Sequence, residues 1–178
     1  MKHEVRHCTH CATALAWIVE TEDGGDKSRL RCPACGWTHW NNPTPVLAAV
    51  LECEDRGGQL LLARNAAWPG KSFGLVAGFM EAGERPQDGI AREVLEETSL
   101  QATEVSLIGV YDFQRMNQII IAYHVRARGE IRLSPELAEY RLFEPSLVKC
   151  WPAGTGQALA DWLRARGIEP QWIEGIKA

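Results

Sequence analysis

Apolar positions fall along this chain in short runs separated by polar, glycine-rich turns. Val46–Cys53 and Gln59–Arg64 read as two strands around a turn at Glu54–Gly58. Residues 86–98 repeat with helical period, and Pro86 suits a first helical turn. Glu104–Phe113, Gln118–Arg126 and Tyr140–Phe143 read as further strands. Gln157–Arg166 reads as an amphipathic helix that Gly167 stops. Between strands and helix, Gly70–Gly83 is loop-like apart from the apolar run Phe73–Ala77. Pro43-Thr44-Pro45 is a stiff connector, because each proline holds its predecessor extended. It separates a first unit, residues 1–42, from a larger one, residues 45–170. Strands with interspersed helices predict an α/β or α+β sandwich for the larger unit.

Composition narrows the class. With 178 residues, 46% hydrophobic and 24% charged, the chain buries a sizeable core, which excludes disordered and fibrous classes. The longest apolar runs, Val46–Leu51 and Ile119–Tyr123, have strand length, far short of the ~20 residues that span a bilayer. Residues 1–8 contain no apolar stretch of the kind that directs secretion. The expectation is therefore a cytoplasmic protein with no membrane partner and reduced thiols. Lys and Arg number 19 against 23 Asp and Glu, a net charge of −4. That balance argues against a nucleic-acid partner. Within residues 1–42 the charges cancel, so the excess of acid lies in the second unit.

The cysteines are the first candidate chemistry. Cys8-Thr-His-Cys11 and Cys32-Pro-Ala-Cys35 are two C-x-x-C knuckles with twenty residues between them. That is the spacing of a four-thiolate zinc site, each knuckle presenting two sulfurs on one turn. A segment of about 40 residues has too little core to fold alone, so zinc would provide much of its stability. His7, His10 and His39 lie close by in sequence but are not required as ligands, and Cys53 and Cys150 sit in apolar surroundings suited to packing. Trp17, Trp37 and Trp40 either fill a small core or stack on bases.

The second candidate is a carboxylate cluster. Glu93, Glu96 and Glu97 stand at i, i+3 and i+4 on the predicted helix, within about 100° of arc. Ala91, Val94 and Leu95 are expected on the opposite, core-facing side. Crowded carboxylates repel unless a cation intervenes, and oxygen-only donors favour Mg²⁺ or Mn²⁺. A solvated acidic helix face is the alternative. Gly74, Gly78 and Gly83 precede the helix, and glycines let backbone approach metal or phosphate closely. Gly78, Glu84, Arg92, Glu93, Val94, Glu96, Glu97 and Leu100 resemble, in type and spacing, the sequence box of the Nudix hydrolases. One position departs: Ser99 stands where that family has a helix-ending glycine.

The resemblance implies a Nudix α/β/α sandwich with a mixed sheet, preceded by a small zinc ribbon. It further implies Mg²⁺-dependent cleavage of a nucleoside diphosphate linked to a group X, by attack of water on phosphorus. Carried onto this chain, Glu93, Glu96 and Glu97 become ligands for Mg²⁺ or Mn²⁺, with Glu139 and the Gly78 carbonyl as further contacts. Glu93, Arg92 and Glu97 become the catalytic group, Arg92 orients Glu93, and Glu84 supports the loop. A ribbon ahead of such a domain resembles the NADH and FAD pyrophosphatase group, so a small dinucleotide such as NADH, FAD or ADP-ribose is the expected substrate. The Ser-Gln-Pro-Trp-Pro-Phe-Pro segment of NADH pyrophosphatases is replaced here by residues 111–118. Tyr111, Phe113, Arg115 and Asn117 alternate there, so on a strand they would share one face and contact a nucleobase; an ordinary edge strand is the alternative. Hydrolysis of NAD-linked RNA belongs to the same class, but the net charge does not advertise an RNA groove. A nucleotide-sensing regulator acting through the ribbon is the competing reading. A homodimer is compatible with Trp151, Trp162 and Trp172, as is core packing.

Overall fold

The computed structural model describes residues 5–67, 70 and 72–174. Residues 1–4 of the first unit and Lys71 of the glycine-rich loop lie outside the described residues. The chain divides into two compact units, residues 1–42 and 43–178.

The first unit is a small antiparallel sheet of β1 (Ala16–Glu22), β2 (Gly25–Arg31) and β3 (Thr38–His39). Each cysteine knuckle is closed by backbone bonds. The Ala12 N–H reaches the Cys8 carbonyl at 2.9 Å, and the Gly36 N–H reaches the Cys32 carbonyl at 3.0 Å. Both Ala12 and Gly36 take the left-handed conformation, φ 59° and 78°, which turns the chain tightly enough to aim two sulfurs the same way.

The second unit contains β4 (Thr44–Cys53), β5 (Gln59–Asn65), β6 (Val76–Phe79), α1 (Pro86–Thr98), β7 (Gln101–Phe113), β8 (Gln118–Arg128), β9 (Leu137–Phe143), β10 (Lys149–Cys150), α2 (Thr155–Arg164) and β11 (Gln171–Trp172). Its six-stranded sheet runs β7-β8-β4-β5-β9, with β6 also pairing β4. The sheet is mixed: β4 and β8 are parallel, and the other pairs are antiparallel. On its other side β4 is shared between β6, along residues 46–49, and β5, along residues 51–53.

Strand β4 explains the layering. Its residues 47–51 are all buried, as expected of a strand covered on both faces. Leu47, Ala49, Leu51 and Cys53 pack with Ile90 and Val94 of α1. Val50 packs with Leu159, Trp162 and Leu163 of α2 on the opposite face, and Ala48 with Ala158. The result is the α/β/α sandwich with a mixed sheet. Cys53 and Cys150 are fully buried in these cores, where burial pushes each thiol up to about 11. Trp162 is likewise a core residue, whereas Trp172 is partly exposed.

Several boundaries differ from the sequence reading. Strand β6 forms at 76–79, shifted toward the end of the apolar run, because its backbone bonds to β4. Strands β7 and β9 each begin three residues earlier than expected, and α2 spans 155–164. The two-residue strands β3, β10 and β11 are too short to show a period. On α1, Leu95 is exposed rather than core-facing. The buried arc instead contains Gly89, Ile90, Glu93, Val94, Glu97 and Thr98, so two of the three glutamates lie on the packed side.

Candidate active site

Among the described residues, Cys8, Cys11, Cys32 and Cys35 are the one group of three or more metal-type side chains whose ligand atoms all lie within 4.8 Å of one another. Sγ separations are 3.6 Å for Cys8–Cys35, 3.5 Å for Cys11–Cys32 and 3.6 Å for Cys11–Cys35. A tetrahedron with Zn–S near 2.3 Å requires sulfurs about 3.8 Å apart, so the quartet fits zinc. His10 and His39 flank Trp37 at ring distances of 5.8 and 6.0 Å, packing beside the quartet.

The carboxylate cluster is built differently. Helix α1 starts at Pro86, and Arg85 outside it pairs with Asp88 at 2.9 Å. Arg92 Nε and Nη2 donate to the two oxygens of Glu84 at 3.1 and 3.0 Å, a bidentate pair. Its Nη1 donates to both Glu93 and Glu96 at 2.9 Å. One guanidinium therefore holds three carboxylates. Glu84 also accepts the Glu81 N–H at 2.7 Å, and these partners hold its carboxyl below the usual range, Arg92 first.

Glu97 stands apart. It is 7% exposed, and its charged neighbours are Glu93, Glu136 and Glu96. Burial first, then those charges, raise its pKa to about 7. Burial likewise raises Glu93. A sunken carboxylate whose charged neighbours among the described residues are three other acids has the electrostatics of a divalent-cation site.

Two glycines make this packing possible. A Cβ on Gly78 would lie 2.1 Å from the Glu93 carboxyl carbon, and one on Gly89 would lie 2.5 Å from a Glu84 oxygen. The Gly78 position puts backbone directly against Glu93; the need for glycine at 89 was not read from the sequence. Ser99 does take the left-handed turn, φ 62° and ψ 8°, with its N–H on the Leu95 carbonyl at 2.8 Å.

Glu139, the expected further metal contact, engages arginines. That residue lies on β9 beside Arg64 and Arg141, 3.7 and 3.1 Å away, and is taken up by those arginines. Glu136 is the acid that adds to the field at both Glu93 and Glu97. It is brought there because the Arg132 and Ser134 N–H groups cap the Thr98 and Glu97 carbonyls at the end of α1, each at 2.9 Å. Ser134-Pro135 ahead of β9 was the available turn signal.

A cleft of about 1120 Å³ adjoins Glu97. Phe113, Arg115, Trp151, Gly154 and Gln157 are among the residues that line it. The expected single face of Tyr111, Phe113, Arg115 and Asn117 does not form. Strand β7 ends at Phe113, a short 3-10 turn covers Gln114–Met116, and Asn117 takes φ 53°. Tyr111 donates instead to Asp161 of α2 at 2.9 Å, and it lines a smaller pocket with Asn117.

Residues 43–164 match the NUDIX domain model, and residues 6–41 match the Nudix N-terminal zinc-ribbon model. The chain belongs to the Nudix hydrolase family. Its Nudix box is the α1 segment with its preceding loop, and the cysteine quartet lies within the ribbon match. A NUDIX hydrolase from Nitrosomonas europaea superposes with TM-score 0.72 at 26% identity, over 95% of this chain and 97% of that one. The NAD-capped RNA hydrolase NudC of Mycobacterium tuberculosis is 30% identical over 140 residues, 73% of this chain and 43% of that protein. The protein of the same name from Pseudomonas aeruginosa is 27% identical over 128 residues, 71% of this chain and 42% of that protein. The chain thus spans less than half the length of these two relatives. Among the described residues no helix is long and apolar enough to cross a membrane.

Proposed function

We propose that this Nudix chain hydrolyses the diphosphate of a small dinucleotide of the NADH, FAD or ADP-ribose class, using Mg²⁺ or Mn²⁺, with zinc held by the cysteine quartet. The observation that carries the reading is Glu97: a buried, uncompensated carboxylate opening onto a cleft of about 1120 Å³. The cleft has the size of a nucleotide site. Relatives named as NAD-capped RNA hydrolases support the dinucleotide class.

Glu93, Glu96, Glu97 and Glu136 would hold the divalent ion, with the Gly78 carbonyl nearby. When bound, it neutralises phosphate oxygens and orients the attacking water. Arg92 fixes the rotamers of Glu93 and Glu96, and Glu84 fixes Arg92. Glu93 and Glu97, the two sunken acids, are the groups available to accept the proton of the attacking water. Phe113 and Trp151 offer flat apolar walls to a base or nicotinamide-like ring.

The test is release of two monophosphates from a panel of dinucleotides with Mg²⁺ or Mn²⁺. Glu97→Gln should lower turnover by about 10³-fold or more while the protein remains folded. Wild-type activity in that variant would refute the assignment.

A further inference from the structure

The end of β7 and helix α2 are joined by a bond that the hydrolysis step does not use. Tyr111 of β7 donates its hydroxyl to Oδ2 of Asp161 on α2 at 2.9 Å. The other oxygen of that carboxylate accepts from Arg164 at 2.8 Å, which fixes its orientation. Burial, and then the bond to Asp161, push the phenol pKa up, so the hydroxyl remains a donor. The backbone of β7 is shaped for this bond. Its pairing with β8 slips register between Leu107 and Gly109. A Cβ on Gly109 would lie 3.0 Å from the Tyr111 hydroxyl oxygen and 3.2 Å from the ring carbon that carries it. Glycine at 109 therefore leaves the space in which the phenol lies.

The packing around the bond explains why a directional contact matters there. Ala158 of α2 packs with Ala48, Ile120 and Ala122 of the sheet, and Tyr111 and Phe113 pack against the same cluster. Small side chains set the separation of helix and sheet but interlock little, so they resist sliding weakly. A hydrogen bond to a carboxylate is directional and fixes the helix along the strand. Position along the strand counts because both elements continue into the cleft. Phe113 lies two residues beyond Tyr111 and lines it, as do Gly154, Thr155 and Gln157 at the start of α2. A Cβ on Gly154 would be 3.6 Å from the Phe113 ring, so the two walls are already in near contact. Tyr111 and Asp161 themselves do not line the cleft.

Resting on the reading of that cleft as the substrate site, we infer that Tyr111 and Asp161 are positioning residues for substrate affinity. Their bond holds α2 against the end of β7, and so holds Phe113, Gly154, Thr155 and Gln157 at the spacing a substrate meets. The glutamate cluster belongs to α1, on the opposite face of the sheet from α2, and is fixed by its own core. Affinity and turnover should therefore separate when the bond is removed.

The test is steady-state hydrolysis of NADH, FAD and ADP-ribose by the intact protein and four variants. Tyr111→Phe and Asp161→Ala should each raise KM about fivefold and leave kcat within about twofold. Asp161→Asn keeps an acceptor for the hydroxyl and should restore most of the affinity. Gly109→Ala, which crowds the phenol, should act in the same direction as Tyr111→Phe. The double variant Tyr111→Phe/Asp161→Ala should be no worse than either single one, because both remove the same bond. A KM that stays at the wild-type value in Tyr111→Phe, or a kcat that falls alone, would overturn the inference. Hydrogen exchange without substrate reads the same bond independently of turnover. The Gly156 and Gln157 amides, bonded to the Ala153 and Gly154 carbonyls at 3.2 and 3.3 Å, should exchange about fivefold faster in Tyr111→Phe. Unchanged exchange would also overturn it. Faster exchange in a protein whose wild type cleaves no dinucleotide would support the positioning bond and count against the substrate reading alone.

Discussion

The cysteine quartet and the glutamate cluster are both expected to hold metal, yet their geometries contrast. The thiols already stand at nearly tetrahedral spacing, 3.5 to 3.6 Å apart where they touch. The carboxylates do not converge: Arg92 spreads its donors over Glu84, Glu93 and Glu96, while Glu97 stays buried and uncompensated. The difference follows from what surrounds each group. The ribbon has a three-stranded sheet and few buried residues, so its turns exist to place sulfurs and the metal would complete the core. The helix is fixed independently by Ile90 and Val94 in a large core, so its acids can be held close together against their mutual repulsion.

The largest expected effect comes from removing the metal from the ribbon. Chelation, or Cys32→Ser, should abolish hydrogen-exchange protection of the Cys32 and Gly36 amides while the sandwich melts as before. Structural zinc contributes about 10–16 kcal/mol in small thiolate modules at neutral pH, more than a sheet of this size can replace. Restoration by Zn²⁺ and not by Mg²⁺ would assign the two sites separately. Ribbon amides that stay protected after chelation would show that the contrast between the two clusters is wrong.

That contrast also explains what was legible in the sequence. Both knuckles, the extent of α1 and the strand at Val46–Cys53 depend on local spacing, and local spacing is what a sequence displays. The roles of Glu136 and Gly89 depend on long-range contact. Glu136 reaches the cluster because a loop caps the end of α1, and Gly89 is required because Glu84 folds back over it. Glu139 had the more suggestive strand setting, but register places it opposite Arg64. Residues 111–118 misled for a related reason: alternation implied one face, whereas the strand stops at Phe113 and a 3-10 turn closed by the left-handed Asn117 redirects the chain.

A smaller effect is expected from pH. In the metal-free protein Glu97 titrates near 7, above its ordinary value of 4.5, because burial and neighbouring acids disfavour its charge. The unfolded chain therefore loses this proton first. The contribution of Glu97 to stability is complete below about pH 4.5 and is lost as pH rises through about 7. Denaturant titrations at pH 5 and pH 8 should show Glu97→Gln gaining on the wild type as pH rises, with no further gain above pH 8. A constant difference between the two proteins across that range would mean that Glu97 is not buried against its neighbours as described. His124 runs the other way: burial depresses its pKa, so its contribution weakens as pH falls through about 6.5, and comparing variant with wild type cancels it.

The smallest effect tests how firmly the helix end is held. Ser99 occupies a left-handed position that glycine would adopt with about 1 kcal/mol less strain. Its hydroxyl, however, donates to the Arg132 carbonyl at 3.1 Å, in the loop that carries Glu136 toward the cluster. An exposed hydrogen bond of this kind contributes about 0.5–1.5 kcal/mol, so the two terms nearly cancel. Ser99→Gly should therefore shift the melting temperature by only about 3 °C in either direction. Ser99→Val should lose both the hydroxyl and the tolerance for positive φ, and lower stability by about 2 kcal/mol or more. If Ser99→Gly instead stabilised the protein by well over 1 kcal/mol, the hydroxyl would contribute nothing to the loop. Glu136 would then depend on the two backbone caps alone, and the carboxylate cluster would be as locally determined as the thiol one.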